Sequence, residues 1–171
     1  MFAQLSPLLL AHLAAAVLAL PLGLFQVIAK QGTPSHALAG RIYVPAMLIA
    51  NLSALATFAP GDPRSTAMLP FHVLAFVSLY SLASGMFALR RWLRHRKQAD
   101  LKTHKVQMAY SWLGLLMAGI SQYLVNDRWG VAPSFSRVQF WTAFTALNLA
   151  LYVVGSWWIF GRLLKRQDPG T

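Results

Sequence analysis

Four histidines, His12, His36, His72 and His104, lie one on each of four successive apolar stretches. An imidazole held at membrane depth is costly and calls for a chemical role. By depth they fall into two pairs. His12 and His72 come early in the first and third stretches and form an outer pair; His36 and His104 open the second and fourth and form an inner pair. A bundle arranged in this way could hold two b-type haems, each iron taking an imidazole from two facing helices, with Gly or Ala leaving room for the macrocycle. Arg41 could pair with a haem propionate, since a guanidinium grips a carboxylate by a forked contact. Electrons could then cross the bilayer between the two layers. The plainer alternative is that the same imidazoles hydrogen-bond a neighbouring helix or meet interfacial water, and His104, between Thr103 and Lys105, suits that role.

The elements that must position these residues follow from where the charges are absent. Uncharged runs cover 1–29, 42–61, 65–89, 106–126 and 138–161, and each reaches the roughly 20 residues that span a bilayer as a helix. The pattern predicts an all-α, polytopic membrane helix bundle of five transmembrane helices in a single integral membrane domain, 1–171. The expected helices are 7–29, 34–59, 68–89, 104–126 and 138–164, with a basic cytoplasmic loop over 90–105. Thr33 followed by Pro34 reads as an N-cap and first helical position, and Pro21 is expected to kink the first helix. Helical spacing predicts a bundle-facing stripe His12, Ala16, Ala19, Gly23, Gln26 on the first helix. A second stripe runs His36, Gly40, Tyr43, Met47, Ala50, Ala54, and the fourth helix carries His104, Met108, Ser111, Leu115, Ala118, Gln122.

The net charge of +11 does not imply nucleic acid, because the fifteen Lys and Arg residues mark topology. Lys30 and Arg41 flank the first connection, seven basic residues lie between Arg90 and Lys105, and Arg162, Lys165 and Arg166 follow the last run; only Arg64, Arg128 and Arg137 occupy the other two connections. The positive-inside rule then puts the N-terminus outside and the C-terminus inside, in a bacterial inner membrane. The RRWLRHRK stretch is expected to rest on anionic lipid head groups, with His95 part of that solvated surface. Trp92, Trp129, Trp157 and Trp158 read as interfacial anchors, and Met47 and Met108 as packing residues.

Other chemistries find little machinery. The four acidic residues, Asp62, Asp100, Asp127 and Asp168, fall outside the expected hydrocarbon core, so no carboxylate is placed there to relay a proton or bind a cation. There is no cysteine, and therefore no disulfide or thiolate metal site. HExxH, GxSxG and phosphate-loop patterns are absent.

The segments AHLAAAVLALPLGLFQ, TPSHALAGRIYV and HKVQMAYSWLGL resemble the bacterial predicted membrane proteins grouped as domain of unknown function 2306. The likeness rests on His12, Gly23, His36, Gly40, Arg41, Tyr43, His104, Met108 and Asn148. The chain departs from the family's usual pattern in carrying Ala37 and Lys105 after two of the histidines, and Gln122 late in the fourth helix. The resemblance implies an integral membrane protein and brings no assigned activity. More distantly, the paired histidines resemble those of two-haem b-type transmembrane cytochromes. The expected function is therefore haem b binding and electron transfer, with a quinone or another redox partner. The competing expectation is a cofactor-free membrane subunit, or a small-solute channel or transporter, in which the histidines are structural.

Overall fold

The computed structural model describes residues 6–57, 69–124 and 135–165. The PGDPR turn, most of the connection before the last helix, and the tail beyond residue 165 lie outside them. The described residues form five α-helices and no strand: α1 Pro7–Ile28, α2 Pro34–Ala56, α3 Leu69–His95, α4 Gln98–Leu124 and α5 Arg137–Lys165.

Local chemistry sets the helix starts. Ser6 and Thr33 each accept a backbone N–H from three residues on, and each is followed by a proline at the first helical position, where its missing N–H costs nothing. Ser136 and Gln139 bond each other's backbone N–H groups reciprocally, the capping box expected of a Ser-x-x-Gln sequence. Pro21 and Pro45 lie inside α1 and α2, and both helices continue through them.

The basic segment differs from expectation. In place of a loop over 90–105, α3 runs on to His95 and α4 begins at Gln98, so only Arg96 and Lys97 are non-helical. Arg96 has φ 53°, the left-handed conformation that ends a helix; its N–H bonds Trp92 O at 2.7 Å. Arginine and lysine are good helix formers, so a charged composition alone does not mark a loop.

Among the described residues, four segments are long and apolar enough to cross a membrane: α1, α2, α3 and the Val138–Gly161 part of α5. α4 has 27 residues, but Gln107, Tyr110, Ser111, Ser121 and Gln122 make it the more polar helix. Of these, Ser111 and Ser121 are fully buried.

The chain divides into two compact units, Met1–Leu115 and Leu116–Thr171. In the first, α2 packs against both α1 and α3. The buried residues of α1 are Ala15, Ala19, Gly23 and Val27, a repeat of four, and α2 buries Ala39, Tyr43, Ala46, Met47 and Ala50. Small side chains at this spacing let two helix backbones approach closely, which is how membrane helices gain packing energy without a hydrophobic drive. In the second unit, Met117 and Ser121 of α4 and Phe144 and Ile159 of α5 are buried. Asn148 donates to Ser121 Oγ at 2.8 Å and to Phe144 O at 2.9 Å.

Candidate functional site

Polar side chains in the first unit occupy three levels. At the end near the α1–α2 turn, Gln26 Nε2 donates to the His36 carbonyl at 2.7 Å and fills the notch at Gly40, where a Cβ would sit 3.2 Å from it. His104 Nδ1 is 2.9 Å from the Gly85 carbonyl. A carbonyl can only accept, so this ring nitrogen carries the proton and Nε2 keeps the lone pair. No described hydrogen bond uses Nε2 of either ring, and His36 Nδ1 is buried without a partner.

The middle level is a closed lock. The fully buried Tyr43 hydroxyl lies 2.8 Å from Ser111 Oγ, and Ser111 in turn donates to the Met108 carbonyl at 2.8 Å. With that proton committed, Tyr43 must be the donor to Ser111. Ser78 Oγ donates to Ser111 O at 3.0 Å, and Trp112 Nε1 donates to Leu20 O at 2.9 Å. One turn of α4 thereby bonds side chains or carbonyls of α1, α2 and α3.

At the third level, His12 Nδ1 lies 2.9 Å from Ala50 O and 3.1 Å from Ser53 Oγ. The Ala50 carbonyl again fixes the proton on Nδ1. His72 is buried, and no described hydrogen bond joins it to His12. The described bonds thus join His12 to α2 and His104 to α3.

These contacts assign roles that the sequence did not give. Gly23, Gly40 and Gly85, where a missing side chain could leave room for a macrocycle, are filled by neighbouring side chains. A Cβ at Gly23 would meet the Trp112 and Tyr43 rings, and one at Gly85 would lie 3.1 Å from Met108 Sδ. Trp112, Ser78 and the Gln26–His36 bond carry no sequence signal, because a donor reaching a distant carbonyl leaves no spacing signature. Arg41 is exposed. Five residues on from His36, it projects about 140° around the helix from that ring. Among the described residues, no group of three or more His, Cys, Asp or Glu gathers to hold a bare metal ion.

A family model described as a predicted membrane protein, domain of unknown function 2306, matches residues 9–159. No curated protein and no solved structure matches the chain.

Proposed function

The chain belongs to the family of predicted membrane proteins called domain of unknown function 2306, and on that footing we propose that it holds a b-type haem between His36 and His104 and passes electrons within the bilayer. One observation carries this reading. Tyr43 and Ser111 meet across a separation of 68 residues, and His36 and His104 have the same separation, one pair lying seven residues beyond the other on both helices. With α2 and α4 running in the same direction, the register of that contact carried along both helices would put the two imidazoles at one level. Hydrogen bonding of Nδ1–H to a carbonyl, as at His104, is also what orients an imidazole for metal ligation through Nε2. A bound haem would supply a one-electron couple, with a quinol as the class of donor available in the membrane. His36 and His104 are the residues that would hold the group. The proposal includes the orientation with the N-terminus outside and the α3–α4 turn in the cytoplasm of a bacterial inner membrane.

The filled notches also favour a second reading, a cofactor-free membrane subunit or small-solute channel in which the histidines lock helices. Visible spectra separate the two. The full chain, purified in mild detergent from cells supplied with haem, should show reduced-minus-oxidised Soret and α bands. His36→Ala and His104→Ala should each abolish them, whereas His12→Ala should leave them. A folded protein without a Soret band would overturn the haem reading and leave the second.

A further inference from the structure

We infer that the α3–α4 hairpin is a preformed cationic collar for the phosphate groups of anionic phospholipids, and that its shaft, not its tip, makes the contact. The inference needs the chain to be a membrane protein but does not need haem, so either proposal can fail alone.

Contacts between α3 and α4 fix the register of the hairpin. Arg91 pairs with Asp100 at 2.9 Å, Gly85 O accepts from His104, and Ser78 bonds Ser111 O. Along this antiparallel ladder Arg90 falls beside Lys102, and Arg94 stands opposite Lys97 next to the turn. All four are exposed. The last apolar residue before the basic stretch of α3 is Leu89, and the corresponding stretch of α4 resumes at Val106.

Helical rise then gives the depths. Residues 90–95 extend α3 by about 9 Å beyond its apolar part, while each head-group layer of a bilayer is on the order of 5–8 Å thick. Arg90 and Lys102 accordingly stand inside the phosphate layer, and Arg94 and Lys97 reach its outer edge or beyond. Seven basic residues occupy 90–105 against a single acid, Asp100, which is buried and joined to Arg91. Arg96 is stacked over the Trp92 ring at 4.8 Å. Arg90 and Lys102 thus have no protein counter-ion among the described ion pairs, and their helical backbone holds them in place before any lipid arrives. A flexible basic loop would bind the surface without such depth selectivity.

The test compares two doubles of equal charge change in the detergent-solubilised full chain. Binding of a fluorescent phosphatidylglycerol is measured, with phosphatidylcholine and inorganic phosphate as competitors. Near an anionic surface each lost Lys or Arg weakens association about five-fold. Arg90→Gln with Lys102→Gln should therefore weaken phosphatidylglycerol binding on the order of twenty-five-fold. Arg94→Gln with Lys97→Gln should change it by less than about three-fold, and Arg90→Lys with Lys102→Arg should retain it. Phosphatidylcholine and millimolar inorganic phosphate should compete poorly. Equal losses in the two glutamine doubles would overturn the shaft assignment. Equal binding of phosphatidylcholine, or full competition by inorganic phosphate, would overturn the anionic-lipid assignment in favour of an uncharged surface or a free-anion site.

Discussion

The closest approach in the first unit is at Gly23, and it yields a sharp prediction. A Cβ there would lie 2.8 Å from Trp112 Cγ and 2.8 Å from Tyr43 Cε2, and nearer still to Trp112 Cδ1. Neither ring can yield freely. Trp112 is held by its bond to Leu20 O, and Tyr43 is fully buried with its hydroxyl on Ser111. Forcing one extra methyl group into a packed core costs about 1–3 kcal/mol. Displacing the indole adds the loss of an interhelical hydrogen bond, worth about 0.6 kcal/mol on average in a membrane bundle. Gly23→Ala should therefore destabilise the protein by about 2–3 kcal/mol. At about 2–4 °C per kcal/mol for a chain of this size, Tm falls by roughly 4–12 °C. Gly119→Ala, where nothing lies within 4 Å of the added Cβ, is the control and should not lower Tm. The assay is survival of the monodisperse chromatographic peak after heating in mild detergent. A double variant adding Trp112→Leu should recover part of the loss, since the two changes share one contact. A Gly23→Ala protein melting within about 1 °C of wild type would refute the packing described for α1, α2 and α4.

The hydrogen-bonded lock makes an ordered prediction. Ser111→Ala strands a buried phenol hydroxyl and should cost about 1–3 kcal/mol, whereas Tyr43→Phe leaves Ser111 still bonded to Met108 O and should cost about 1 kcal/mol or less; thermal melts that reverse this order would reverse the donor assignment. At the hairpin, Arg91→Gln should lower Tm more than Asp100→Asn, because the first leaves a buried carboxylate without its cation while the second removes the charge that needs one. In the second unit, Ser121→Ala should cost about 0.6 kcal/mol, and Asn148→Ala somewhat more because Asn148 bonds two acceptors; equal melts for the two would show that the Ser121 bond is the whole contribution.

Helix positions were readable because membrane spans announce themselves by the absence of charge, and the Thr-Pro cap of α2 by its chemistry. The face of α2 was equally legible, with Tyr43, Met47 and Ala50 buried as a stripe from His36 requires. The fourth-helix stripe fails at Gln122, which is exposed while the adjacent Ser121 is fully buried; near this end the buried face lies one residue away from the one that spacing from His104 picks out. The hairpin is not legible in the sequence, because basic residues inform about membrane depth and not about backbone conformation. Partners such as Trp112 with Leu20 O, 92 residues apart, depend on three-dimensional register, which no single segment contains.

The polarity of α4 bears on how the chain is assembled during synthesis. Every partner described for its Asp100, His104, Ser111 and Trp112 side chains that lies on another helix belongs to an earlier one: Arg91, Gly85, Tyr43 and Leu20. The N-terminal half of α4 thus finds its described partners among segments synthesised before it, whereas Ser121 near its far end is bonded by Asn148 of α5, synthesised after it. The order of synthesis divides the polar contacts of α4 between partners already made and one still to come.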